Sequence, residues 1–255
     1  MIIDAHVHIS DNGKWFDTGL DASSEYLIDQ LDKAGIDKAV LLPTYSNCRN
    51  KTVFDACKKY PLRFIGFATI DVHNIPNALD ELGRCFENYN LKGLKLHPRF
   101  QKFKPLDQKL YPIYEKAIEY GWPIVFDGFL QSKDIPITDL FPVSYDVLAK
   151  QFPDLKIIIA HAGGHRFWDS LFIAKSNPNV YLDISYIFKY FKPLSHIISE
   201  LKFVVENCDQ KIIFGSDFPE IAVNEYFDLI NLLFKELNPV KKKNVFSETI
   251  CGLVK

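Results

Sequence analysis

Apolar and polar positions follow two different rhythms along this chain. Short runs rich in Val, Ile, Leu and Phe recur throughout: Met1 to His6, Lys38 to Pro43, Phe64 to Ile70, Leu91 to Leu96, Pro123 to Asp127, Lys156 to His161, Val180 to Ser185 and Lys211 to Gly215. Several are nearly continuous, as in Ile157-Ile158-Ile159-Ala160, which is how strands buried on both faces of a parallel sheet read. Between them lie stretches with helical spacing, including Ser24 to Ala34, Val53 to Tyr60, Asn77 to Asn90 and Leu110 to Tyr120. In the first of these, Leu27, Ile28, Leu31 and Ala34 share one face and leave Asp29, Asp32 and Lys33 to solvent. Eight strand–helix alternations predict an α/β fold, a closed (β/α)8 TIM barrel forming a single domain over residues 1–255. The rival is an open doubly wound sheet, but no GxGxxG follows the first strand. The irregular stretch Gly128 to Val143 directly follows a strand and is expected to form a long loop over the barrel mouth.

Composition narrows the function more than the fold. Hydrophobic residues make up 47% and charged residues 24%, an ordinary globular balance that argues against disorder. A net charge of −2 offers no field to attract nucleic acid, and the basic run Lys241-Lys242-Lys243 reads as a solvated helix start after Pro239. The chain opens with Asp4 and His6 where a signal peptide would need a basic and then an apolar region. No apolar run approaches the ~18 residues that span a bilayer. A cytoplasmic protein with no membrane partner is therefore expected. Cys48, Cys57, Cys85, Cys208 and Cys251 are odd in number and show no CxxC spacing, so they read as reduced thiols.

The polar residues that interrupt the strand runs collect at one end of them. His6 and His8 end the first run, Lys95 and His97 the fourth, Asp127 the fifth, His161 the sixth, and Asp217 follows the eighth. These are C-terminal ends, the face on which such barrels carry active sites. Side chains two apart on a strand share a face, so His6 and His8 can point at one ion at the ~2.0–2.1 Å of a zinc–nitrogen bond. Each residue also has a plainer reading. Asp217 could cap the following helix, and His161 could be a hydrogen-bonded core histidine. His73 and His165 sit on loops after strands as secondary candidates, and His196, beyond Pro193, reads as structural.

Five segments together resemble the amidohydrolase-related family of metal-dependent barrel hydrolases and decarboxylases, which includes aminocarboxymuconate-semialdehyde decarboxylase and the resorcylate decarboxylases. They are Asp4-Ala5-His6-Val7-His8, Gly93-Leu94-Lys95-Leu96-His97-Pro98, Ala160-His161-Ala162-Gly163-Gly164, Val180-Tyr181-Leu182-Asp183-Ile184-Ser185 and Gly215-Ser216-Asp217-Phe218-Pro219. They fall in family order and cover almost the whole chain. The resemblance implies that His6, His8 and Asp217 are metal ligands and that His161 hydrogen-bonds a metal-bound water or the substrate. Many relatives end the fifth strand in a further ligand histidine, whereas this chain reads Ile124-Val125-Phe126-Asp127-Gly128. Asp127 is expected to ligate in its place, moving the metal preference from zinc toward harder ions such as manganese.

Lys95 and His97 share a strand face and should both look into the mouth. Lys95 is expected either to pair with Asp127 or Asp217 or to hold an anionic substrate group. Arg99 and Arg166, each just past a strand end, are candidates for a substrate-carboxylate fork. The aromatic residues Trp15, Phe16, Tyr45, Phe129, Phe141 and Tyr186 lie on loops that suit a ring-shaped substrate or simple packing. The leading expectation is hydrolysis of a small, anionic amide, ester or lactone. A divalent zinc or manganese ion would lower the pKa of a bound water toward ~7, and Asp217 would carry the released proton. Decarboxylation by the same residues, a metal-free lactonase and a binding barrel without catalysis are the alternatives. The expected partner is a small-molecule substrate, and a homo-oligomer is compatible with the sequence.

Overall fold

In the computed structural model, which describes residues 1–191 and 196–254, the apolar runs become eight parallel strands. These are β1 (Ile3–Val7), β2 (Lys38–Leu41), β3 (Phe64–Gly66), β4 (Leu94–Leu96), β5 (Ile124–Phe126), β6 (Ile157–Ile159), β7 (Val180–Asp183) and β8 (Ile212–Ile213). β1 to β3 pair in order, and so do β4 to β8. Two seams close the ring. Ala68, just past β3, bridges Leu94 of β4, and Val7 of β1 bridges Phe218 beyond β8. At the second seam Ala5 donates its backbone N–H to the Phe214 carbonyl at 2.9 Å, and Asp217 donates to His6 at 2.9 Å. The sheet is a closed barrel, and the open-sheet alternative falls away.

The paired segments are shorter than the apolar runs. Regular pairing in the run from Phe64 stops at Gly66, yet Phe67, Ala68 and Ile70 stay buried beyond it. An apolar run reports burial, and burial outlasts the hydrogen-bonded ladder at a barrel rim. Helix Ser24–Ala34 forms as its periodicity predicts. Ser23 Oγ caps it by accepting from Tyr26 N–H, and Gly35 ends it at φ 66°. The helices Asn50–Lys59, Ile75–Glu87 and Tyr111–Glu119 lie within a few residues of their predicted bounds. The expected loop after β5 carries a short helix, Ile137–Leu140, packed over its own small cluster of Leu130, Ile135 and Leu140. The side chain of His196 falls outside the described residues. Among those described, no helix is long and apolar enough to cross a membrane.

The interior of the barrel is filled by Ile3, Ala5, Val40, Leu42, Phe67, Val125, Ile158, Ala160 and Ile213, with Ile250 and Leu253 of the C-terminal helix Thr249–Leu253 packed against them. That helix sits at the bottom, where Lys156, just before β6, reaches the Leu253 carbonyl at 3.5 Å. A larger apolar layer fills the space between strands and helices. One local irregularity connects this packing to the site. Asp4 pairs with Ala39 but Val7 pairs with Leu41, so three residue steps on β1 match two on β2. The extra residue inverts the alternation of side chains. Below it Ile3 and Ala5 face inward, above it Val7 and Ile9 join the outer layer, and His6 and His8 are turned toward the barrel axis.

Candidate metal centre

Strand β1 delivers two imidazoles, each pinned through Nδ1. His6 Nδ1 lies 2.5 Å from Asp183 Oδ2 at the end of β7, and His8 Nδ1 lies 2.6 Å from the Leu42 carbonyl oxygen. A carbonyl only accepts, so His8 carries a proton on Nδ1. Burial pushes the His6 pKa down to about 4, against the pull of Asp183, so the ring is neutral near pH 7 and donates its Nδ1 proton to that carboxylate. Burial raises the Asp183 pKa, but His6 and further hydrogen bonds outweigh it and hold the value at about 2. Both rings are left with Nε2 facing the axis. Nε2 of His6 is buried and has no hydrogen-bond partner among the described residues.

Asp217 meets them there. Its Oδ1 stands 3.3 Å from Nε2 of His6 and 3.2 Å from Nε2 of His8. An oxygen and two nitrogen lone pairs gathered at this distance repel one another unless a metal ion lies among them or a proton on His8 Nε2 bridges to Asp217 Oδ1 at 3.2 Å. Donor atoms bound at ~2.1 Å to one tetrahedral ion are ~3.4 Å apart, so the spacing and the donor set fit a divalent metal. The helix after β8, Val223–Leu233, begins behind Ala222, so Asp217 does not cap it. Asp217 and His161 both occupy the left-handed backbone region, at φ 74° and 54°, which is uncommon for residues with a Cβ and typical of functional turns. Gly215 lets the last strand pass the first at close range, since a Cβ there would meet His6 Cβ at 2.6 Å.

His161 joins from the sixth strand. Its Nδ1 lies 3.2 Å from the Ser185 carbonyl and 2.9 Å from Ser185 Oγ, and its ring centroid is 4.9 Å from that of His6. One donor atom from each of His6, His161 and Asp217 lies within 4.8 Å of the other two. Burial opposes a charge on His161, but Asp127, Asp217 and Asp183 outweigh it and raise its pKa above the usual imidazole value.

The fourth and fifth strands contribute differently. Arg99 forms an ion pair through Nε with Asp127 Oδ2, and its Nη2 lies 3.4 Å from Oδ1. Burial raises the Asp127 pKa, yet Arg99 and the neighbouring histidines dominate and hold it well below the carboxylate range. Oδ1 of Asp127 is 3.6 Å from His161 Nε2, longer than a hydrogen bond. Lys95 is fully buried, and its Nζ finds no hydrogen-bond partner among the described residues, so the expected pairing with Asp127 or Asp217 does not form. Burial lowers its pKa. Burial, and then Lys95, push the His97 pKa well below the usual imidazole value. Asp127, Asp183 and Asp217 are all held ionised, among the cationic groups Arg99, Lys95 and His161.

Above these groups opens a cavity of about 330 Å³, lined among others by Trp15, Phe16, Phe100, Phe129 and Tyr186 together with His8, His97, Arg99, His161 and Asp217. Three imidazoles lie flat on aromatic rings: His8 on Trp15 at 4.9 Å, His161 on Phe129 at 4.1 Å and His97 on Phe100 at 5.3 Å. Arg99 lies over Phe100 and Phe129. Arg166 does not join it. It is half-exposed, pairs with Asp169 at 2.6 Å and lies over Phe141, so the structure brings no arginine fork together. Neither His73, which reaches the Gln101 carbonyl at 2.6 Å, nor His165 lines this cavity. Tyr45 lines a separate groove. Sequence reasoning gave no role to Asp183 or Ser185, although Asp183 interrupts an apolar run at its C-terminal end, the signal that marks His161. Thr44, whose buried Oγ1 has no hydrogen-bond partner among the described residues, and Glu220, which accepts from Trp15 Nε1 at 2.7 Å, also line the cavity without a sequence signal.

Known proteins share this fold. The chain is 22% identical over 228 residues to a 2-amino-3-carboxymuconate-6-semialdehyde decarboxylase of Dictyostelium discoideum, a match covering 77% of this chain and 62% of that protein. The chain thus spans somewhat less than two thirds of the curated relative's length. An uncharacterised TIM-barrel protein from Bordetella bronchiseptica superposes with a TM-score of 0.84 at 19% identity, over 99% of this chain and 97% of the other. A 5-carboxyvanillate decarboxylase from Novosphingobium aromaticivorans, solved with manganese and 4-hydroxy-3-methoxy-5-nitrobenzoic acid, superposes with a TM-score of 0.75 at 16% identity, over 100% and 96% of the two chains. The amidohydrolase family model matches residues 3–249. With a closed barrel whose rim gathers histidines and carboxylates, and with that match over nearly its full length, the chain belongs to the amidohydrolase family.

Proposed function

We propose that this protein is a metal-dependent decarboxylase of a small, planar aromatic acid. The observation that carries the reading is the convergence of His6 Nε2 and His8 Nε2 on Asp217 Oδ1, at 3.3 and 3.2 Å, with both Nδ1 atoms already committed elsewhere. A divalent ion, manganese or zinc, held by His6, His8 and Asp217 would supply Lewis-acid polarisation of a substrate oxygen. Arg99 offers the substrate carboxylate the edge of its guanidinium that Asp127 leaves free, and Trp15, Phe100 and Phe129 give the ring a flat apolar seat. Asp217 is placed to hold a proton taken from a substrate hydroxyl. When the carbon–carbon bond breaks and carbon dioxide leaves, the electron pair stays on the ring carbon, and that carbon takes the proton.

Hydrolysis, the leading expectation from sequence, would use the same groups on a water. Decarboxylation is preferred because the relatives of stated activity described above are decarboxylases and because the cavity wall is aromatic. The test is to incubate metal-supplemented protein with panels of hydroxybenzoates and of lactones. Carbon dioxide released in step with acid consumed is expected. A new acid without carbon dioxide would transfer the assignment to hydrolysis, and no turnover by a protein that takes up no metal would remove both.

A further inference from the structure

We infer that His161, on the sixth strand, is a direct third nitrogen ligand of the metal in this chain, and that Asp127 is not a ligand. The inference rests on the metal-dependent reading above and assigns its coordination set. His6, His8 and His161 use Nδ1 in the same way. His6 gives it to Asp183, His8 to the Leu42 carbonyl and His161 to the Ser185 carbonyl at 3.2 Å, with Ser185 Oγ at 2.9 Å. A backbone carbonyl can only accept, so a proton on Nδ1 satisfies the Ser185 contact and leaves Nε2 as the atom available to a metal. Anchoring one ring nitrogen on a carboxylate or carbonyl is what orients an imidazole for metal binding through the other.

Chemistry separates the two candidates, which lie close together, Asp127 Oδ1 standing 3.6 Å from His161 Nε2. A donor atom of His161 lies within 4.8 Å of donors from both His6 and Asp217. Asp127 is chemically occupied. Both its oxygens face Arg99, and turning one toward a metal would break a buried charge pair and leave the guanidinium without its counterion. Phe129 stacks on His161 at 4.1 Å and lies under Arg99, so one ring packs against both groups. The result is a set of three imidazoles and one carboxylate, with Asp127 serving to orient Arg99.

Cobalt(II) titration of the full chain, read by visible absorption and by competition for the dissociation constant, tests this independently of turnover. His161→Asn is expected to weaken cobalt binding by at least ~100-fold, because losing even an outer-shell partner of a ligand costs 10–100-fold, and to change the ligand-field bands. Asp127→Asn is expected to change affinity by less than about threefold and to leave the bands in place. X-ray absorption of the cobalt-loaded wild type, which needs no variant to fold, is expected to count three imidazoles. Two imidazoles, an unchanged His161→Asn, or an Asp127→Asn as damaging as His161→Asn would each overturn the assignment while leaving a metal enzyme. A wild type that binds no cobalt, manganese or zinc would overturn the assignment together with the metal-dependent reading.

Discussion

The floor and the rim of this barrel are built from the same eight strands and obey opposite rules. At the floor, Ile3, Val40, Val125, Ile158 and Ile213 fill the interior and the C-terminal helix packs across them. Each side chain there is interchangeable in kind, since dispersion and burial ask only for shape. A few residues higher, the interior holds His6, Lys95, Asp127, His161, Asp183 and Asp217, all nearly inaccessible to water. There most groups depend on one particular partner, while Lys95 Nζ and His6 Nε2 find no hydrogen bond among the described residues. Burying polar atoms unpaired is costly, so the apolar floor supplies the stability that lets the rim remain unsatisfied and ready for a ligand.

Four substitutions can break or sharpen that contrast. Asp217→Asn removes the carboxylate that joins His6 and His8; turnover should fall by ~10³-fold or more, with a melting temperature within a few degrees of wild type by circular dichroism. Ile158→Ala attacks the floor instead. It should cost about 2–5 kcal/mol in urea unfolding while leaving metal affinity unchanged, and a large loss of affinity would show that floor and rim are not separable. Arg99→Lys keeps a cation beside Asp127 but loses the planar fork, so KM should rise roughly 10-fold, the equivalent of ~1.4 kcal/mol, with kcat less affected. Arg166→Gln breaks only an exposed pair with Asp169, each partner 40% exposed. It should change stability by less than about 0.5 kcal/mol and steady-state kinetics by less than about twofold.

The rim was legible as a list before it was legible as a site. That His6, His8, His161 and Asp217 belong together follows from a local rule, polar residues at the C-terminal ends of apolar runs, and the structure brings all four to one place. The same rule applied to Asp127 finds the right rim and says nothing of Arg99, the neighbour that occupies it. Arg166 satisfied the positional rule equally well, yet the turn after β6 carries it to Asp169 instead of the cavity. The β1 irregularity was also invisible. His6 and His8 were expected to share a face because they are two apart, which holds, but they share the interior with Ala5 and Ile3 only because one extra residue inverts the alternation between them.

Taken alone, the chain's order of residues determined the number of strands, their parallel sense, the end that carries chemistry and the four principal polar groups. All of these depend on periodicity and on neighbours within a few positions, which burial enforces locally. Only the tertiary structure decided which atom of each group is free. His6 surrenders Nδ1 to Asp183, 177 positions away, His8 to the Leu42 carbonyl, and Asp127 both its oxygens to Arg99. Such pairings are fixed to within tenths of an ångström by how the barrel closes, and a hydrogen bond or a coordination bond is sensitive on that scale in a way that hydrophobic burial is not.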